Sequence, residues 1–364
     1  TRCLSDWSSD VCSSDLRLIK ISDDLASIPK IAGVTDDLPS EFDSYKSAIC
    51  TYLGLGISRL ADAQNNLCQW GPSADQTQHL FRRQALPMIW DYAESSIFSG
   101  AAGDYKTTLA SMCRVISSNF AGGFSEVNSG NAVDIAKHIP ISVISTDPPY
   151  YDNIAYADLS DFFYVWLRRS LKDHWPDLFR RLSVPKDEEL VATPYRHGGK
   201  ENAEAFFMSG MKSALQAMVR FSNENEPLTI YYAFKQSQSA EEGITSAGWS
   251  SFLQAIIDSG LGVDGTWPVR TERGARSVGI GANALASSIV LVCRKRSPQA
   301  GITTRGDFIR ALRRELPDAI AAIRKAGVGP VDMQQSVIGP GMGVFSRYAR
   351  VLEDDDSAMS VKTA

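Results

Sequence analysis

The sequence holds no uninterrupted apolar run of the roughly 18 residues that a membrane-spanning helix needs, so no membrane span is expected. Nor does any pair of its six cysteines stand in CxxC spacing. That absence excludes a zinc ribbon within the chain. The wide separation of Cys50, Cys68, Cys113 and Cys293 also argues against a disulfide framework. Buried thiols in a reducing cytoplasm, with no metal site, are the expectation. The body of the chain also lacks an excess of either sign of charge. The net charge of -5 sits at the two ends: residues 1–16 hold -2 and residues 353–364 hold -3, so the body between them is neutral. A neutral body neither advertises nor excludes a nucleic-acid partner, because a local basic patch is enough.

Residues 1–16, TRCLSDWSSDVCSSDL, lack usable periodicity and lack the apolar stretch of a secretory signal. Their Ser/Asp/Cys/Trp repetition resembles a translated sequencing-library adapter. They are set aside from the fold as non-native, with the native protein expected to begin further upstream.

What is present reads as an ordinary globular composition, 44% apolar and 22% charged over 364 residues. Residues 17–125 are expected to be mainly helical. SYKSAICTYLGLGISRLADAQNNLCQW carries apolar residues at helical spacing through Tyr52, Leu53, Leu60 and Leu67. HLFRRQALPMIWDYAESSIF carries a second apolar stripe interrupted by Pro87, and DYKTTLASMCRVISSNF a third. From residue 126 to 300 the rhythm becomes strand–loop–helix. Ile141–Ser145 reads as a short buried strand, and LSDFFYVWLRRSLK as a helix whose Phe162, Phe163 and Trp166 face a core. ENAEAFFMSGMKSALQAMVRFS (helix), PLTIYYAFKQ (strand), GWSSFLQAIIDSG (helix closed by Gly260), LGVDGTWPVRT (strand) and ALASSIVLVCRKR (strand) follow. This alternation predicts an α/β fold, a doubly wound and mostly parallel sheet with helices on both faces and a terminal antiparallel hairpin. Charged amphipathic helices are expected in 301–352, and a disordered acidic tail over 353–364.

Three glycine-containing stretches invite a nucleotide-site reading. FAGGF (Phe120–Phe124) follows a helical pattern rather than a strand, GIGANA (Gly279–Ala284) precedes a strand instead of opening a helix, and GPGMG (Gly339–Gly343) has no strand before it. A phosphate cradle needs strand–loop–helix context, so all three read as loops.

TDPPYYDN has that context: a strand ends, the motif follows at its carboxyl end, and a helix comes next. Ligands of open α/β sheets bind at this edge. A plain Asp-Pro surface turn is the competing reading. The chemistry such a corner suits is methylation of an exocyclic amine. Adenine's amino lone pair is delocalised into the ring, which makes the nitrogen a poor nucleophile. The Asp147 carboxylate and the Pro148 carbonyl would accept its two N–H bonds and stabilise the positive charge that develops on attack. Tyr150 offers a face for an extruded base, and Pro148 and Pro149 stiffen the backbone that presents acid and ring.

DPPY at such a strand exit resembles the signature of amino-group DNA methyltransferases. The wider blocks GISRLADAQNNLCQW, RRQALPMIWDYAE, DPPYYDNIAYADLSDFFYVWLRRSL, PYRHGG and WPVRTERGARSVGIGANALASSIVLVCRKR resemble the adenine-specific DNA methylase family. Full-length members of that family also carry a zinc ribbon and an N-terminal domain of unknown function. The likeness runs from about Tyr52 to Arg296. It implies a Rossmann-like methyltransferase fold, S-adenosyl-L-methionine as cofactor, DNA as substrate, and Asp147, Pro148, Pro149 and Tyr150 as catalytic residues. Within SGNAVDI, Gly130–Asn131–Ala132 resembles the family's acidic strand-end motif that meets the cofactor's adenine, with Asn131 in place of the usual Asp. Asn131 and Asp147 are thereby the cofactor candidates. The family's FxGxG loop and zinc-binding cysteines have no counterpart here, in keeping with a truncated gene.

Further substrate candidates remain double-valued. Tyr151 and Asn153 adjoin the motif. Lys235, with Gln236, follows a strand at the same edge, as a substrate contact or a solvated strand end. Arg270, Glu272, Arg273 and Arg276 form either a phosphate-contact patch or a solvated loop. His197 of PYRHGG is a DNA contact or a structural residue. The expected function is methyl transfer to adenine N6 of DNA with base flipping. The alternatives are cytosine N4, an RNA or protein amide, or a non-catalytic nucleic-acid-binding derivative of the fold. In the family resemblance, Asp at the first motif position favours adenine.

Overall fold

The computed structural model describes residues 40–82, 85–100, 103–118, 125–135, 140–152, 154–232, 247–270, 287–326, 328 and 330–364. They divide into two compact units. One runs up to Ser125 and takes in Ala155–Glu189, and the other joins Glu126–Ile154 to Leu190–Ala364. Residues 155–189, assigned from sequence to the sheet domain, therefore cluster with the helical region.

In the first unit, α1 (Ser40–Ala63) and α2 (Tyr105–Ser118) lie where helical spacing places them. Asp104 starts α2, its carboxylate accepting the Thr107 N–H and the Gly100 N–H, each at 2.6 Å. Hydrogen bonding from Thr107 holds that carboxyl below its ordinary range. No helix forms over the described part of HLFRRQALPMIWDYAESSIF, and Leu86, Met88 and Trp90 are exposed. Pro87 explains the difference, because it has no N–H to donate and bars Leu86 from helical backbone. α3 (Tyr156–Leu171) buries Tyr164, Trp166 and Leu171. Tyr164 and Leu171 join Cys50 and Phe179 in a small core, and Phe162 and Phe163 each meet Phe81 at 5.3 Å between ring centres.

The second unit is α/β and is built on a mixed four-stranded sheet. β1 (Ser145–Thr146), β2 (Leu228–Tyr232), β3 (Leu261–Arg270) and β4 (Ser287–Lys295) stand in the order β1-β2-β4-β3. β1 and β2 are parallel, while β4 runs antiparallel to both β2 and β3. The sheet is therefore mixed rather than mostly parallel among the described residues, with the expected antiparallel hairpin at one edge. β4 lies inside the sheet, and Ile289, Val290, Leu291 and Cys293 along its apolar run are all buried. Burial pushes the Cys293 thiol up to about 12, which keeps it an inert packing group. α4 (Lys200–Phe221) and α5 (Ala247–Asp258) contribute Phe207, Met211, Leu215, Phe252 and Ile256 to the same core as Ile230, Leu261 and Leu291. Gly260 closes α5 at φ +90°, a backbone that glycine adopts without penalty. The approach to β1 departs from the buried strand read in the sequence: Ile141 is 71% exposed and Val143 64%. Among the described residues β1 has a strand neighbour on one side only.

The chain ends with β5 (Ile302–Thr304), α6 (Arg305–Lys325), α7 (Pro330–Ser346) and β6 (Arg350–Leu352), β5 and β6 pairing in parallel. Thr304 caps α6 by accepting the Asp307 N–H at 3.2 Å. GPGMG, read as a loop, lies inside α7. Its glycines suit close packing on the sheet: a Cβ on Gly339 would fall 2.1 Å from the Thr266 hydroxyl, and one on Gly343 would fall 3.2 Å from the Val263 carbonyl. Ser346 accepts the Val263 N–H at 2.8 Å and so satisfies an amide of the edge strand. The acidic tail is packed rather than disordered. Met359 and Val361 are buried, the Met359 N–H donates to Val351 at 2.8 Å, and the Val361 N–H donates to the Gln254 side chain at 2.9 Å.

Of the four cysteines beyond the first sixteen residues, Cys50, Cys68 and Cys293 are buried as expected, while Cys113 is exposed. No helix among the described residues is long and apolar enough to cross a membrane.

Candidate active site

Asp147 follows β1 directly. Because β1 and β2 are parallel and Thr146 stands opposite Ile230, Asp147 leaves the sheet at the end where β2 finishes with Tyr232. Pro148 is buried and Asp147 exposed, so the first proline anchors the corner while the acid stands in solvent. The Tyr150 hydroxyl donates to Asp147 Oδ1 at 2.6 Å, a short bond of the charge-assisted kind. That bond fixes the carboxylate's orientation. Among the described residues Oδ2 has no hydrogen-bond partner.

The Tyr150 ring does not lie loose on the surface. It meets Tyr232 edge-on, 5.0 Å between centres at 62°. Tyr232 in turn stacks on Phe252 of α5 at 4.1 Å and 16°, and touches Trp249 at 5.3 Å. An aromatic ladder thus runs from the core to the motif, and each ring restricts the next. Burial pushes the Tyr232 hydroxyl far above the ordinary phenol range, so it stays neutral. Tyr232 was not singled out from the sequence. The signal was present: β2 reads LTIYY with Leu228, Ile230 and Tyr232 on the buried parity.

Comparison of the chain with family models, with curated proteins and with solved structures finds no match in any of the three.

Tyr151, a substrate candidate, adopts φ +52°, a left-handed backbone that is strained for a tyrosine. The turn sends its ring against Phe207 of the core at 5.1 Å, while its carbonyl accepts the Ala192 N–H at 2.9 Å. Desolvation, with Glu204 and Asp152 nearby, raises its hydroxyl pKa. Tyr151 thus wedges the corner into the core, and its ring packs inward. Asn131 caps the short helical turn Ala132–Ile135, its Oδ1 accepting the Val133 N–H at 2.9 Å. No hydrogen bond joins it to Asp147 among the described residues. Arg270 ends β3 opposite Ser287, two residues beyond the Ile289 that pairs with Tyr232. Its backbone therefore lies at the same sheet end as Asp147, three strand spacings away, or about 14 Å. His197 stacks on Phe206 at 4.2 Å and 25°, in a turn closed by Gly198 at φ +70°, which is the structural reading of that residue. Asn153, Lys235, Gln236, Glu272, Arg273 and Arg276 lie outside the described residues, as do FAGGF and GIGANA.

Two described groups at this unit suit S-adenosyl-L-methionine by their chemistry: the exposed Asp147 carboxylate, which complements a sulfonium cation, and the Asn131 amide. The Asn131 oxygen is already engaged in its cap, which leaves the NH2 for a ligand.

Proposed function

We propose that the chain carries the amine-activating corner of an S-adenosyl-L-methionine-dependent DNA methyltransferase acting on adenine N6. The observation that supports this most directly is the Asp147–Tyr150 pair, an exposed carboxylate oriented at a strand exit by a tyrosine that the core itself braces. A plain surface turn would need neither the 2.6 Å bond nor the ladder behind it.

Asp147 and Asn131 would hold the cofactor, which would supply an electrophilic methyl on a sulfonium when bound. The chain's own groups prepare the other partner. Asp147 Oδ2 accepts one N–H of the amine, the Pro148 carbonyl accepts the other, and both acceptors favour a pyramidal nitrogen with its lone pair available. Tyr150 holds Oδ1 through its hydroxyl and presents its ring to the extruded base. Arg270 ends β3 at the same sheet end, its backbone about 14 Å along, and is a candidate contact for a phosphate of the flanking DNA.

The test is to incubate the chain with unmethylated DNA and methyl-labelled S-adenosyl-L-methionine, digest the DNA, and identify the labelled nucleoside. N6-methyldeoxyadenosine is the expected product. Label in N4-methyldeoxycytidine would keep the mechanism and change the base. Absence of label across varied genomic DNA, with cofactor binding demonstrated, would overturn the reading.

A further inference from the structure

A cavity of about 530 Å3 opens at the end of the sheet opposite Asp147, where β3 begins and β4 finishes. Strand register fixes that position: Leu228, at the start of β2, pairs with Cys293, and the lining residues Arg294 and Lys295 follow it on β4. α6 completes the walls through Glu315, together with Arg347, the residue that follows α7. The volume falls in the range of roughly 300–1,000 Å3 typical of small-molecule sites.

The charge lining this cavity is unbalanced. Arg294, Lys295, Arg296 and Arg347 face two carboxylates, Asp264 and Glu315, for a net of +2. Both acids are already engaged. Asp264 accepts from Arg294 Nε at 2.8 Å, and Glu315 accepts from Arg347 at 2.8 and 3.2 Å and from Arg314 at 2.9 Å. Lys295 has only a loose partner, Glu224, 4.0 Å away and 85% exposed. Arg296 donates through Nη2 to the Ile257 carbonyl at 3.3 Å, near the end of α5. Its Nη1 is buried and has no hydrogen-bond partner among the described residues. A buried guanidinium N–H without an acceptor is costly, and Arg296 stands among the residues that line the cavity. The bland reading makes Arg296 a cation complementing the carboxyl end of α5. That reading accounts for Nη2 and leaves Nη1 and the remaining charge unexplained.

We propose that this cavity is a second ligand site for a small phosphorylated molecule, with Arg296 and Lys295 as its principal donors and Arg347 at the rim. Phosphate fits for two reasons. A phosphomonoester carries about -1.5 to -2 at neutral pH, matching the lining, and its oxygens accept from guanidinium and ammonium groups together. A concave site between helices and strands takes a small molecule rather than a duplex, which needs an exposed basic face.

Calorimetric titration of the full chain with pyrophosphate at low salt tests this. One saturable site is expected, with affinity lowered about tenfold or more by Arg296→Gln and several-fold by Lys295→Gln, each removing a charge-assisted contact. Lys212→Gln, on the exposed side of α4, removes the same charge elsewhere and is expected to leave affinity within about twofold. If Arg296→Gln fails to fold by its thermal transition, Lys295→Gln alone carries the comparison. Absence of saturable binding, equal affinity in wild type and the folded cavity variants, or an equal loss in Lys212→Gln would each overturn the proposal. So would displacement of pyrophosphate by duplex DNA at comparable concentration.

Discussion

At the scale of single residues, the bond between Tyr150 and Asp147 separates two roles that one side chain plays. The hydroxyl orients the acid, and in the proposed reaction the ring would offer the face for a base. Substitutions resolve them. Tyr150→Phe keeps the ring and loses one hydrogen bond to a charged group, so kcat/KM for DNA methylation is expected to fall by about tenfold. Tyr150→Ala loses stacking as well, worth about 1–3 kcal/mol per base, and is expected to fall a further 10- to 100-fold. Equal rates in the two variants would remove the stacking role. The acid, the prolines and Tyr150 were legible in the sequence because a rigid corner after a strand is a local pattern. Tyr232 was not, since its part depends on the parallel pairing of β1 with β2, two elements some 80 residues apart in the chain. Tyr151 was misdirected for a related reason: its φ of +52° reverses where the side chain points, and composition carries no sign of a left-handed tyrosine.

At the scale of elements, α7 is the clearest departure from sequence reasoning. Glycine and proline together look like a loop, and propensity alone would make one. Here the close approach of α7 to β3 overrides propensity, because Gly339 leaves room for Thr266. Gly339→Ala is expected to lower stability by about 1–3 kcal/mol through overpacking. Gly341→Ala, where an added Cβ meets nothing within 4 Å, is expected to be neutral or stabilising by up to about 1 kcal/mol. Thermal unfolding of both variants checks this, and an equal loss in both would place the effect in helix chemistry rather than packing. The ion pair that joins α6 to the end of α7 gives a pH dependence. Arg347 first, and Arg314 second, hold the Glu315 carboxyl down to about 2. A depressed folded-state value means that the pair stabilises the fold above the ordinary carboxylate range and loses that contribution as pH falls toward 2. Glu315→Gln should therefore have a lower melting temperature than wild type at pH 7, and the gap should narrow steadily below about pH 4.5. A gap independent of pH would show that the pair's charge is not what stabilises this junction.

At the scale of the whole molecule, alternating strand and helix signals from residue 126 onward were enough to indicate an α/β sheet with an antiparallel hairpin at its edge. They were not enough to show that residues 155–189 leave the sheet unit and cluster with the N-terminal helices. Local periodicity identifies a helix but not its partners. The acidic tail was misread for a similar reason. Its charge hides two apolar residues, and burial of Met359 and Val361 is a long-range event. Deleting residues 357–364 is expected to lower unfolding free energy by about 3 kcal/mol or more, from the lost burial of two apolar side chains. An unchanged denaturation midpoint would mean that the tail contributes nothing to stability.

In the proposed reaction the Asp147 carboxylate activates an exocyclic amine. Single-turnover methylation of unmethylated DNA, compared between wild type, Asp147→Asn and Asp147→Ala at saturating S-adenosyl-L-methionine, tests it most directly. N6-methyldeoxyadenosine is expected in wild type, with its rate of formation falling by about 100-fold or more in both variants while each keeps its fold, since a preorganised acceptor at the reacting group is worth that much. Product formed by Asp147→Ala at the wild-type rate would contradict the account, because the corner would then be a turn and nothing more.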